Sequence, residues 1–210
     1  MEFVRRLGSD TSRLGVLPGT FNPITVAHLA LARAAQSCCQ EIVFVLPRVF
    51  PHKGYTGASF AERLELLDRA LGAEGQFSLA IADQGLFVNI AAECRQAYGP
   101  EVRLTFVCGR DAAERIAGWD YGNRVEFPAM LQAFDLLVAA RNGEYTPPAG
   151  LSDRIERLDL PLSFNHVSST EVRERIARGY GWEHLVPTAV HQRVREIYGT
   201  ETFTDRRART

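Results

Sequence analysis

Short apolar runs alternate with stretches of helical periodicity along this chain. Leu14–Leu17, Ile42–Leu46, Phe77–Ile81, Leu104–Val107 and Leu136–Ala139 are almost continuously apolar and rich in Val, Leu, Ile and Phe. Runs of this length and composition read as strands buried on both faces of a parallel sheet. Between them, Thr25–Ser37, Ala58–Leu71, Leu86–Tyr98 and Asp111–Phe134 repeat apolar residues at helical spacing, the last interrupted near Gly118–Gly122 and at Pro128. Two further helices are predicted at Ser169–Ala177 and Pro187–Tyr198. Strand–helix alternation predicts a doubly wound, mainly parallel, Rossmann-like α/β sheet with C-terminal helices. Ligands of such sheets bind beyond the carboxyl ends of the strands, where the strand order reverses. Residues 1–13 read as a partly flexible leader and 14–199 as one domain; 200–210, with Arg206, Arg207 and Arg209, read as a flexible polar tail.

Composition narrows the partners. The chain has 210 residues, 46% of them apolar, which suffices for one α/β domain with a real core. A net charge of −1 argues against a dedicated nucleic-acid binder, since phosphate-backbone binding needs a basic surplus. Cys38, Cys39, Cys94 and Cys108 lack metal-ligand or redox-motif spacing and sit in apolar runs, so buried reduced thiols are expected. No run of about 18 apolar residues is present, so no membrane span is predicted and a cytoplasmic location is expected. No His, Cys and Asp set has metal-ligand spacing, and no metal is assigned to protein ligands.

The candidate chemistry begins after the first strand, in the stretch LGVLPGTFNPITVAHLALARAA. Gly19 follows the strand end, where a missing side chain lets backbone N–H groups approach a ligand. Thr25 is a good N-cap, which places His28 at the third helical position, inside the positive end of the helix dipole. An anion at this mouth would meet amides, a hydroxyl and an imidazole together. An ordinary capping threonine with a surface histidine is the alternative. A second cradle lies in HVSSTEVRERI: Ser168 to Glu171 match the S-x-x-E capping box, Ser169 and Thr170 offer hydroxyls, and Arg173 follows. Its alternative is a plain capped helix with a solvent-facing arginine.

Gly19-x-Phe21-Asn22-Pro23-x-Thr25-x-x-His28 resembles the GxFxPxTxGH signature of the nucleotidyltransferase superfamily. Further motifs resemble the nicotinate-mononucleotide adenylyltransferase family: Pro51-His52-Lys53, Ser59 to Leu67, Gly109-Arg110-Asp111 with Trp119 beyond, and Val167 to Arg173. The similarity runs in order from about residue 14 to 199. It implies transfer of AMP from ATP to a mononucleotide phosphate, most simply nicotinate mononucleotide, with release of pyrophosphate. It implies His28, Thr25, Lys53 and Arg173 as catalytic residues. ATP would be held by Gly19, Thr20, Phe21, His28, Gly109, Asp111, Ser168, Ser169, Thr170 and Arg173. Asn22, Phe87 and Trp119 would line the acceptor site. Mg2+ would arrive with ATP, bound mostly by phosphates and water, and the resemblance leaves room for a homo-oligomer.

The chain departs from the family pattern at four places. Thr25 stands where the family's first histidine falls, Ala27 replaces the glycine before His28, and Pro18 replaces the first glycine of GGTF. Gly85-Leu86-Phe87-Val88-Asn89 replaces a stretch that supplies a threonine near the acceptor, and Phe87 offers no hydroxyl. These changes keep alternatives open: another phosphorylated acceptor such as phosphopantetheine, CTP in place of ATP, or a nucleotide-binding homologue with impaired catalysis.

Overall fold

The computed structural model describes residues 1–8, 11–49, 57–117, 127–139, 145–147 and 150–199, with the side chains at 115, 117, 127 and 128 excepted. Seven strands form one sheet: β1 (Glu2–Arg5), β2 (Arg13–Pro18), β3 (Glu41–Val49), β4 (Ser78–Gln84), β5 (Arg103–Gly109), β6 (Asp135–Ala139) and β7 (Ile155–Leu158). Their spatial order is β1-β4-β3-β2-β5-β6-β7, and all neighbours are parallel except β1, which is antiparallel to β4. From β2 the chain winds outward through β3 and β4, then crosses back to β5 and winds the other way. The order therefore reverses between β2 and β5, where Val16 pairs with both Val43 and Phe106. This is the predicted Rossmann-like, doubly wound arrangement.

The helices are α1 (Val26–Ala35), α2 (Phe60–Glu74), α3 (Phe87–Tyr98), α4 (Arg110–Ala117), α5 (Phe127–Met130), α6 (Ser169–Arg178) and α7 (His191–Tyr198). Alternation along the strands divides the apolar residues between two cores. Leu17, Phe44, Leu46, Leu79, Val107 and Leu137 face a core shared with α1, α2, α6 and α7. Val16, Val43, Val45, Ala80, Phe106 and Val138 face a second core with α3, α4 and α5. Burial on both faces explains why the strands read as continuous apolar runs.

Local chemistry sets the helix ends. In α2, Ser59 and Glu62 exchange two hydrogen bonds, from Ser59 N–H to Glu62 Oε2 (2.7 Å) and from Glu62 N–H to Ser59 Oγ (3.3 Å), and Gly75 ends the helix at φ +68°. Such caps supply partners to end groups that the helix itself leaves unbonded. The expected helix 187–198 is instead a 3-10 turn, Thr188–Val190, followed by α7.

Two strands escaped the hydrophobic pattern. Within the expected leader, Glu2–Arg5 pairs with β4, with Glu2 opposite Ile81 and Phe3 opposite Ala80. Arg5 meets Asp68 at 2.9 Å, and the Arg6 guanidinium lies over the Phe3 and Tyr98 rings at 4.6 and 4.7 Å. β7 buries only Ile155 and Leu158 of its four residues. Both are edge strands of four residues, too short to show a period. The tail expected at 200–210 lies outside the described residues.

Candidate functional site

The loop from Gly19 to Thr25 leaves β2 at the carboxyl edge of the sheet, beside the reversal point. Thr25 is the N-cap of α1 and His28 its third residue. The Thr25 N–H donates to His28 Nδ1 at 3.0 Å, and Thr25 Oγ1 lies 2.8 Å from the same nitrogen. This is a capping box with an imidazole in the position normally taken by a carboxylate. Because a backbone N–H can only donate, Nδ1 is the unprotonated nitrogen, and the neutral ring carries its proton on Nε2. Thr25 is fully buried and His28 half-buried. A helix N-terminus and an imidazole N–H thus open on one mouth, a combination suited to an anion.

Gly19 is confined by the sheet on one side and by an aromatic ring on the other. Its N–H extends the β2–β3 ladder to Val45 O at 3.1 Å, so that amide is engaged with the sheet. A Cβ at Gly19 would lie 2.8 Å from Phe21 Cζ, so the ring of Phe21 occupies the space. Phe21 is almost wholly buried at φ +46°, a left-handed conformation that costs a bulky residue energy and is held here by packing. Its ring packs edge-on to the His28 ring (centroids 5.1 Å, 72°) and against Phe44 at 5.7 Å. Phe21 therefore shapes the site from within the core and offers no surface to ATP. The Asn22–Pro23 peptide bond is cis.

The second cradle docks onto this same loop. Ser168 Oγ accepts from Glu171 N–H at 3.0 Å and caps α6. The Glu171 carboxylate turns instead to Arg175 at 2.6 Å, so the reciprocal half of the expected capping box is replaced by an i,i+4 ion pair. Ser169 Oγ donates to Pro23 O at 2.7 Å. Arg173 Nη1 donates to Asn22 O, and its Nη2 reaches Thr170 Oγ1 at 3.3 Å. The Ser169 hydroxyl proton is thus directed at the loop rather than at a ligand. The contacts at Asn22 and Pro23 seat the start of α6 beside the start of α1, bringing the two predicted cradles together.

The remaining expected residues divide. Gly109 ends β5 and Asp111 stands exposed in the first turn of α4, on the opposite side of the reversal point from Gly19. Asn22 is buried, its Oδ1 accepting from the Tyr198 hydroxyl at 2.6 Å. Half-buried Phe87 stacks its ring on Phe106 (4.4 Å, 20°) and meets Phe134 at 6.2 Å. The three aromatic rings are in mutual contact, which buries one side of Phe87. Lys53 and Trp119 lie outside the described residues. Thr20 contributes its carbonyl, which accepts from Arg63 Nη1 at 2.9 Å.

Arg63 and Tyr198 are the site-shaping residues that sequence reasoning missed. Both are about 2% exposed. The signal in the sequence was an arginine on the apolar face of α2, between Phe60 and Leu66–Leu67, where an unpaired charge would be costly. Burial pushes the Tyr198 phenol well above its usual range, and the pull of Arg173 and Arg63 in the other direction does not offset it. The phenol therefore stays neutral and remains a donor. Among the described residues no three His, Cys, Asp or Glu side chains group to hold a metal ion, and no helix is long and apolar enough to cross a membrane.

The cytidylyltransferase-like family model matches residues 16–175. A "Probable nicotinate-nucleotide adenylyltransferase" of Gloeobacter violaceus is 31% identical over 186 residues, covering 81% of this chain and 87% of that protein. One of Moorella thermoacetica is 32% identical over 193 residues, covering 84% of each. In three dimensions the chain is similar to Plasmodium falciparum nicotinic acid mononucleotide adenylyltransferase, solved with NaAD. That likeness has TM-score 0.68 at 16% identity, covering 88% of this chain and 95% of the other, and concerns the fold. The motifs along the chain, the reversed sheet order and the extent of these matches converge: the chain belongs to the nicotinate-nucleotide adenylyltransferase family of cytidylyltransferase-like proteins.

Proposed function

We propose that the protein transfers the adenylyl group of ATP to the phosphate of nicotinate mononucleotide, releasing pyrophosphate. The observation that carries this reading is the docking of α6 onto the Asn22–Pro23 loop, which unites two helix N-termini at the point where the sheet order reverses. In the reaction an acceptor phosphate oxygen attacks the α-phosphorus of ATP, and the bond from that phosphorus to the bridging oxygen of pyrophosphate breaks. The attacking oxygen is already ionised, so no protein base is needed. Rate comes from alignment and from donors aimed at charge that grows in the transition state.

His28 Nε2–H is the donor for the α-phosphate, held in its tautomer by the Thr25 amide. The N-terminus of α6, with Ser168, Thr170 and Arg173, receives the leaving pyrophosphate, and the Lys53 ammonium adds positive charge to neutralise it. In this reading the Asp111 carboxylate accepts from the ribose hydroxyls, and Trp119 supplies a stacking surface for the pyridine ring. Mg2+ enters as part of the ATP substrate, coordinated by phosphate and water. The four free cysteines fit a reducing compartment, and a cytoplasmic location belongs to the same reading.

The test is pyrophosphate release from Mg-ATP and nicotinate mononucleotide by the wild type and by His28→Ala. The variant is expected to lose about 10²–10³-fold in kcat, the usual cost of removing one transition-state donor, while remaining folded at the assay temperature, with melting lowered by a few degrees through the lost cap. Absence of turnover by the wild type would refute the acceptor assignment. A second reading rests on the Leu86–Phe87 stretch, whose apolar N-cap and core-packed ring offer the acceptor no side-chain hydroxyl. It keeps the chemistry and changes the acceptor to another phosphorylated molecule such as phosphopantetheine. Turnover with that acceptor, or with CTP, would select it.

A further inference from the structure

Beyond its last ladder bond, from Gly19 N–H to Val45 O, the loop to α1 carries no sheet pairing to dictate its shape. That shape is imposed from outside. Arg63 of α2 holds Thr20 O, Arg173 of α6 holds Asn22 O, Ser169 of α6 holds Pro23 O, and Tyr198 of α7 holds Asn22 Oδ1. Four donors from three helices hold three residues of the loop, Thr20, Asn22 and Pro23, with Asn22 held twice.

Two of the four donors stand at the ligand mouth. The other two, Arg63 and Tyr198, are almost inaccessible and can influence a nucleotide only through the loop. Tyr198 is the more informative. It lies 176 residues from Asn22 in sequence, it ends α7, and its hydroxyl makes a 2.6 Å bond with a side chain three residues before the N-cap of α1.

We propose that Tyr198 is a positioning residue of the nucleotidyl-transfer reaction, fixing the Thr20–Thr25 loop, and with it the donor at His28, through Asn22. The proposal rests on the function given above. Since a misplacement of about 1 Å costs roughly 10²-fold in rate, loss of one anchor among four is expected to lower kcat by about tenfold. KM for both substrates should stay within about twofold, because ground-state binding depends on many contacts besides this loop.

The experiment compares the wild type, Tyr198→Phe, Asn22→Ala and the double variant. kcat is measured per folded site well below the melting temperature, and amide hydrogen exchange is followed in the Gly19–Ala27 and β3 peptides. Tyr198→Phe should lower kcat with little change in KM and speed exchange in the loop peptide but not in β3. In the Asn22→Ala background the same substitution should have no further effect on kcat, since its partner is already gone. A merely structural tyrosine would lower the melting temperature and leave kcat per folded site unchanged, and that result overturns the proposal. Independent, multiplying effects of the two substitutions, or unchanged loop exchange, overturn it too. Failure of the wild type to turn over would instead sink the functional reading, and the exchange pattern would still decide whether Tyr198 holds the loop.

Discussion

Gly19→Ala tests the steric account of the first loop most directly. The added Cβ would lie 2.8, 2.9 and 3.1 Å from Cζ, Cε1 and Cε2 of Phe21. Carbon atoms in contact prefer about 3.5–4.0 Å, so the ring must retreat by roughly 0.7 Å. It has little room: Phe21 is 1% exposed and bounded by Phe44 and His28. Overpacking of this kind costs about 1–3 kcal/mol. For a chain of this size each kcal/mol shifts the melting temperature by about 2–4 °C, so a midrange cost lowers it by about 4–8 °C. The same retreat presses on the His28 ring, and kcat should fall between about tenfold and a hundredfold. The assays are thermal unfolding and pyrophosphate release, repeated in a Phe21→Leu background. Leucine lacks the ε and ζ carbons that would collide, so there the alanine should cost under about 0.5 kcal/mol. Wild-type melting in Gly19→Ala, or an equal cost in both backgrounds, would show that the glycine is needed for something other than the ring.

Phe87→Leu should lower stability by about 1–2 kcal/mol, the loss of an aromatic stack and some buried area, while the KM for the acceptor stays unchanged; a large rise in that KM would return Phe87 to the acceptor site. Burial pushes the thiols of Cys39, Cys94 and Cys108 from an ordinary 9.0 up to about 12, Cys38 adding to the effect at Cys39. Native protein at about pH 8 should therefore be alkylated at half-buried Cys38 alone, and at all four cysteines after unfolding, as mass spectrometry would show. The sign of the linked stability follows: raised thiol values in the folded state stabilise it fully below about pH 9, and this contribution is lost as pH rises toward 12. Alkaline melting curves that stay flat across that window would contradict the burial of these groups.

Sequence alone determined the elements whose physics is local. Five strands announced themselves because burial on both faces makes them continuously apolar, and Thr25 and Ser168 marked helix starts by cap chemistry at close range. Position three of α1 for His28 followed from counting. The tertiary structure decided what depended on distant partners. β1 exists because β4 has an edge to pair with, which four mixed residues do not advertise. Phe87 could have faced solvent wholly, but Phe106 and Phe134 offered one side of its ring a stack, leaving it half-buried. The space beside Gly19 is filled by the ring of Phe21, two residues away. Most of all, only the fold could join Tyr198 to Asn22 and Arg63 to Thr20. A buried polar contact between residues far apart in the chain leaves no period, cap or motif in the sequence, because its energy comes from desolvated groups meeting after the chain has closed.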